Sequence, residues 1–155
     1  PVKIKLSRLV SDVMKTVSAS FAAKNITPEI NVPDDITINA DEKLAGTAIS
    51  FVAENAFKFS PAGTKVWISA VRNDDGSVFI FIRDSGKGIE QSRISDFFDE
   101  FGVGDVAHHG RGHGLSLSIV KAVMDCHGGS VSASNSTEAP GAVFELRFPK
   151  QPVAV

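Results

Sequence analysis

Residues 78–82, Val78-Phe79-Ile80-Phe81-Ile82, form an unbroken apolar run set between Gly76 and the segment Asp84-Ser85-Gly86-Lys87-Gly88. A run this short, alternating β-branched and aromatic residues and flanked by turn formers, reads as a strand rather than a helix. Being apolar on both faces, it belongs in the middle of a sheet. The stretch before it, Lys65 to Arg72, reads as a second strand, and Asn73-Asp74-Asp75-Gly76 between them is a hairpin signal. Around that pair the rest of the chain has to be arranged.

Residues 2–6 alternate like a short strand. From Ser7, an available N-cap, the period changes to helical, with Leu9, Val10, Val13, Met14, Val17 and Phe21 on one face. Ile26 to Val32 and Ile36 to Ile38 read as short strands around Pro33-Asp34-Asp35. A helix follows from about Asp41, with Leu44, Ala48, Phe51, Val52 and Asn55 sharing a face, and it stops before Pro61-Ala62-Gly63. A short helix around Gln91 to Phe98 leads into a polar, aperiodic Gly- and His-rich loop, 102–114. A helix from Leu115 to His127 ends at Gly128, and strands Ser130 to Ser134 and Ala142 to Phe148 close the chain. The predicted fold class is α+β: a two-layer sandwich with a mixed five-stranded sheet and helices on one face.

At 155 residues the chain reads as one domain, 1–155, with no repeat or linker. Its 43% hydrophobic and 22% charged residues suit a globular protein rather than a disordered one. A net charge of −2 without blocks of like charge gives no footprint for nucleic acid or an anionic membrane. The longest apolar stretches fall far short of the roughly 20 residues that span a bilayer. The start, Pro1-Val2-Lys3, lacks an initiator Met and a signal-peptide pattern, so the sequence reads as an excised piece of something longer. One cysteine, Cys126, cannot make an internal disulfide; it reads as a small buried hydrophobe in a reducing compartment.

Three constellations carry chemistry. Asn55 and Lys58 lie three apart at a helix end and point the same way. An amide oxygen is a hard neutral ligand suited to Mg²⁺, and the ammonium can neutralise phosphates; a solvated helix end is the plain alternative. Asp84 follows the central strand, where a carboxylate needs a donor such as the exocyclic amine of adenine, and Gly86 and Gly88 let a flat ligand approach. A simple turn is the alternative there. Gly110-Arg111-Gly112-His113-Gly114-Leu115 opens a helix, presenting free N–H groups to phosphate unless it is an ordinary hinge loop.

Asn55-Ala56-Phe57-Lys58-Phe59-Ser60, Asp84-Ser85-Gly86-Lys87-Gly88-Ile89, Phe97-Phe98-Asp99-Glu100-Phe101 and Gly112-His113-Gly114-Leu115 resemble the four ATP boxes of sensor histidine kinases, in order and spacing. The closing segments Cys126-His127-Gly128-Gly129-Ser130-Val131 and Pro140-Gly141-Ala142-Val143-Phe144 are similar to that family's tail, so the resemblance covers essentially the whole chain. It implies the Bergerat fold of histidine kinases and gyrase, a protein histidine kinase activity, and ATP and Mg²⁺ as cofactors. By position it implies Asn55 on Mg²⁺, Lys58 at the phosphates and Asp84 on the adenine amine. Gly86, Gly88, Ile89 and Ala142 would surround the base. Residues 99–113 would be the lid, anchored by Phe98 and Phe101, with Arg111, Gly112, His113, Gly114 and Leu115 at the phosphates.

The family usually places Asn or His, and its hydrolytic relatives Glu, where this chain has Phe51, which argues against efficient ATP hydrolysis. Ser116 replaces a usual third glycine, and Ala142 a frequent threonine. None of the four histidines has the acidic neighbour of a phosphoacceptor. His108, His109 and His113 fall in the lid without carboxylate or thiolate company for a metal, and His127 sits where it serves a helix dipole. The phosphoacceptor is therefore expected on a separate dimerisation domain of the same protein, with a response regulator downstream. The resemblance implies a monomeric fragment, a homodimeric full protein and a cytoplasmic location, in a membrane-anchored sensor or not. A regulatory pseudokinase and a serine kinase of the anti-sigma-factor type are the rival readings. Phe51 favours the first, and the Gly/His lid with Phe98 and Phe101 weighs against the second.

Overall fold

The computed structural model describes residues 1–89, 113–137 and 139–150, with the backbone alone for 113–116. Strand β1 (Val2–Lys5) runs straight into helix α1 (Leu6–Ser20), followed by a 3-10 turn, Ala22–Lys24. Then come β2 (Thr27–Asn31), β3 (Thr37–Ala40), α2 (Glu42–Phe59), β4 (Lys65–Arg72) and β5 (Val78–Arg83). Helix α3 (His113–Cys126), β6 (Ser130–Asn135) and β7 (Ala142–Phe148) complete the described elements.

Five strands form one sheet in the order β2-β4-β5-β7-β6, so the apolar strand β5 is central, as its sequence requires. The β2/β4 pair is parallel and the others antiparallel, which makes the sheet mixed. β1 and β3 form a separate two-stranded antiparallel sheet, Val2 opposite Ala40. The neighbours β2 and β3 thus part company at the Pro33–Asp35 turn.

The register puts Ile68 opposite Ile82 and Ile82 opposite Phe144. These residues, with Val66, Ile80, Leu146 and Phe148, are at most 5% exposed and share the face on which the helices pack. The other face carries no described helix and is mixed, with Glu145 and Arg147 opposite the apolar side chains of β5. There the half-buried Phe79 and Phe81 stack at 6.1 Å and the Arg83 guanidinium lies 3.8 Å over Trp67. β5 is therefore apolar on both faces for two reasons: helices cover one, and its own neighbouring side chains shelter the other.

Some expectations change. Helix α1 starts at Leu6, with Lys5 in the cap position and no side-chain cap, so Ser7 is not the N-cap. The Leu6 N–H is satisfied instead by the Ile36 carbonyl at 3.1 Å, a tertiary bond that no local signal announces. In α2, Leu44 is 41% exposed and the buried stripe runs through Ala45, Ala48, Ile49, Val52, Ala53 and Ala56. Cys126, the last residue of α3, is exposed rather than buried. Helix α3 begins at His113, two residues before Leu115, so the expected lid and the helix share that residue. The expected helix around Gln91 to Phe98 lies outside the described residues, as does most of the loop 102–114. Gly128, at φ +70°, ends α3 as expected.

Candidate functional site

Four polar residues are buried among those described: Asn55, Ser60, Ser77 and Asp84. Ser77 is accounted for inside the β4–β5 hairpin, where Asp75 accepts from its N–H. The other three gather where the C-terminal end of α2 meets the C-terminal end of β5.

Asp84 is the residue just past β5 and is 4% exposed. Its backbone N–H donates to the Ala142 carbonyl at 3.0 Å, extending the β5/β7 ladder by one residue. The side chain then folds back: Oδ1 accepts from Gly86 N–H and from Ala142 N–H, both at 2.9 Å. Both bonds fall on one oxygen, and among the described residues Oδ2 accepts none. Burial pushes the Asp84 pKa above the ordinary carboxylate value, outweighing the two N–H donors and nearby Arg83. The result is a desolvated acceptor with one oxygen locked and the other available.

The loop that follows is tied on all sides. Ser85 N–H donates to Ser60 Oγ at 2.9 Å, and Ser85 Oγ donates to the Lys65 carbonyl at 2.6 Å. Gly86 passes so close to α2 that a Cβ there would stand 2.8 Å from the Phe59 carbonyl oxygen. Gly141, at φ +146°, leaves no room for a side chain against the Asp84 carbonyl. At both positions the space a Cβ would take is filled by backbone, so the glycines let loop, α2 and β7 close tightly around the carboxylate.

Helix α2 brings the second element. Its start is fixed by Asp41, whose Oδ1 accepts from Leu44 N–H at 2.9 Å. Its end is held by Lys24, whose ammonium donates to the carbonyls of Phe57 and Lys58, both at 2.9 Å. In the last turns Asn55 is 7% exposed and Lys58 is exposed. Phe51, one turn before Asn55, is half-buried against the core and brings no polar group.

Of the residues singled out by sequence, Asn55, Lys58, Asp84, Gly86, Gly88, Ile89 and Ala142 lie on this α2–loop–β7 assembly. Ala142 acts there through its backbone, since its side chain is 3% exposed. His113, Gly114 and Leu115 open α3. Phe98, Phe101, Arg111 and Gly112 lie outside the described residues, as do His108 and His109, so the loop-histidine reading also falls there. Ser60, Lys24 and Asn135 were not legible as site residues: each acts through a partner at least 25 residues away. His127 does more than serve a dipole. Its Nε2 accepts from Asp41 N–H at 3.1 Å, so Nδ1 carries the proton it donates to the Val123 carbonyl at 2.8 Å. It joins the end of α3 to the start of α2.

A buried carboxylate with one oxygen available, at the end of a helix that carries an exposed lysine, suits a nucleotide. Residues 40–152 match the family described as histidine kinase-, DNA gyrase B-, and HSP90-like ATPase. The chain belongs to this family. It is the ATPase domain found in sensor histidine kinases, which are protein kinases. The sensor protein KdpD of Clostridium acetobutylicum is 32% identical over 149 residues, covering 94% of this chain and 16% of that protein. Among solved structures, the catalytic domain of the histidine kinase ThkA superposes with a TM-score of 0.83 at 22% identity, covering 97% of each chain. Full-length ShkA, solved in complex with AMPPNP, gives a TM-score of 0.81 at 27% identity, covering 99% of this chain and 32% of that one. The chain spans 14–39% of the length of the curated relatives it matches. Among the described residues of this ATPase domain, no helix is long and apolar enough to cross a membrane.

Proposed function

We propose that this chain, as one domain over 1–155, binds Mg-ATP and presents its γ-phosphate to a histidine carried by a separate dimerisation domain of the same protein. The observation that carries the reading is Asp84, buried, with Oδ1 fixed by two backbone donors and Oδ2 available to the adenine amine. The likeness to ShkA, whose structure contains the ATP analogue AMPPNP, supports the same ligand.

Each residue then has a task. Asp84 reads the amine and Gly86, Gly88, Ile89 and Ala142 form the walls at the base. Asn55, a buried neutral amide, fits a Mg²⁺ ion that takes most of its ligands from phosphate and water. Lys58 neutralises phosphate charge. The lid, 99–113 with Phe98 and Phe101 as anchors, and Arg111, Gly112, His113, Gly114 and Leu115 complete the phosphate end. The reacting phosphoryl group and the divalent charge that offsets it come with the nucleotide. The residues of this chain supply position and electrostatics, and the nucleophile comes from elsewhere. A downstream response regulator, a homodimeric full-length protein and a cytoplasmic location belong to the same proposal.

Phe51 supports a second reading, a regulatory nucleotide-binding module with little transfer, because a half-buried phenyl ring can neither orient water nor bond a phosphate. Two measurements decide. Calorimetric titration with Mg-ATP is expected to show binding by wild type and roughly thirtyfold weaker binding by Asp84→Asn, about 2 kcal/mol for exchanging an acceptor for a donor. Equal affinities overturn the pocket. In the full-length protein, absence of phosphohistidine at saturating ATP overturns the kinase and leaves the binding module.

A further inference from the structure

Asn135 lies at the end of β6, outside every motif discussed above, and its carboxamide grips the far end of the Asp84–Ile89 loop. Its Oδ1 accepts from Ile89 N–H at 2.7 Å and its Nδ2 donates to the Ile89 carbonyl at 2.7 Å. The backbone groups leave no freedom in this assignment, because an N–H can only donate and a carbonyl can only accept. One side chain thereby reproduces the two bonds of a ladder pair.

The placement is not incidental to the pocket. In the β6/β7 register Asn135 lies opposite Ala142, and Ala142 in turn bonds Asp84 through both its N–H and its carbonyl. Asn135, Ala142 and Asp84 thus form one row across three strands. The loop leaves that row at Asp84, arches over the end of β7, and returns to it at Ile89. Asp84 pins the near end of the arch and Asn135 the far end. Gly88, at φ +88°, sits directly on the clamp: a Cβ there would stand 2.6 Å from Asn135 Oδ1 and 3.7 Å from the Gly141 carbonyl oxygen. Ile89 itself packs against the core, so the clamp acts on an anchored residue.

We propose that Asn135 is a positioning residue of the nucleotide pocket, setting the span of the loop that walls the adenine through its paired bonds to Ile89. The proposal rests on the reading of Asp84 as the adenine acceptor. It requires one donor and one acceptor at a fixed separation. Aspartate has the right shape but turns a carboxylate on the Ile89 carbonyl. Glutamine has the wrong length but the right pair of groups, and the exposed site gives it room.

The test compares Asn135→Asp, Asn135→Ala, Asn135→Gln and Asp84→Asn in this chain, titrating ATP, ADP and adenosine and recording thermal melting and circular dichroism. The expected result is about tenfold weaker binding for Asn135→Asp and Asn135→Ala, by the same factor for all three ligands because the loss is at the base. Asn135→Gln is expected within about threefold of wild type. A purely structural role lowers the melting temperature but leaves affinity intact or ranks Asp above Gln, and either result overturns the proposal. If Asn135→Asp does not fold, the Ala and Gln variants carry the same comparison. Wild-type affinity in the Asn135 variants beside a large loss in Asp84→Asn overturns this inference alone; no loss in Asp84→Asn overturns the pocket as well.

Discussion

Asp84 and Asn55 are both polar, both buried and both at one end of the molecule, yet different physics holds each in place. Asn55 is where it is because α2 has a helical register, set by the Asp41 cap at one end and closed by the Lys24 ammonium at the other. Asp84 is where it is because three strands, a loop and a helix end converge on it. Its partners are Gly86, two residues on, and Ala142, 58 residues on, and the loop beside it is tied to Ser60, Lys65 and Asn135. In the proposed pocket the base end is an assembled structure, whereas Asn55 and Lys58 are brought to the phosphates by one face of one helix. An assembled site has many ways to fail, and a helical one tolerates change outside its own turn.

The sharpest way to break the assembled end leaves Asp84 untouched. Gly141 has φ +146°, and a methyl group there overlaps the Asp84 carbonyl oxygen. Gly141→Ala therefore pushes β7 off the end of β5 and dislodges the Ala142 N–H from Asp84. A loss of about 3 kcal/mol or more in urea denaturation is expected, from backbone strain and two buried bonds together. Affinity for adenosine should fall with it. A variant as stable as wild type removes the close approach from the account of the site.

The same contrast explains what the sequence could and could not announce. β5 was legible as the central strand because five apolar residues in a row admit few other places, and the β4–β5 hairpin because Asn73–Gly76 is a turn by composition. Asn55 and Lys58 were legible as a pair because helical spacing fixes their relation. Helix α1 starting at Leu6 was not legible, since its first N–H is satisfied by Ile36, thirty residues away. Cys126 was misplaced because it was read by residue type, whereas the period of α3 sets it on the face of the exposed Ile119 and Ala122. Ser60, Lys24 and Asn135 carry no local signature, since their work depends on contacts between distant elements. Resemblance to a family marked Asp84, Gly141 and Ala142, but not Asn135, which lies in one row with Ala142 and Asp84.

A pH titration reads the assembled end without mutation. Burial raises the Asp84 pKa, so the folded chain takes up a proton at a higher pH than the unfolded one. The sign for stability follows: the Asp84 contribution is fully present below the unfolded value and is lost as pH rises through the raised folded value. Nucleotide binding runs the other way. Lowering pH through that raised value protonates the proposed acceptor of the adenine amine, so affinity for adenosine should fall severalfold, above the pH at which an ordinary carboxylate titrates. Adenosine carries no phosphate, which keeps phosphate protonation out of the measurement. Asp84→Asn should flatten the profile, and an unchanged slope in that variant assigns the dependence to another group.

The helical end is probed most gently at Lys24, which hydrogen-bonds to α2 through backbone carbonyls. Lys24→Met keeps most of the side-chain stem and removes the ammonium, leaving the Phe57 and Lys58 carbonyls without that donor. A half-buried charge-assisted cap of this kind contributes about 1 kcal/mol, which for a chain of this size is about 2–4 °C in melting temperature. If the phosphate end depends only on the register of α2, fraying of the last turn should weaken ATP two- to threefold and leave adenosine unchanged, because Lys58 sits in that turn and Asp84 does not. Equal losses for both ligands instead make the α2 terminus part of the same assembly as the Asp84 loop, through Ser60 and the Phe59 carbonyl. The distinction between the two ends of the pocket then disappears, and the helix end must be described, like the base end, by the contacts that converge on it.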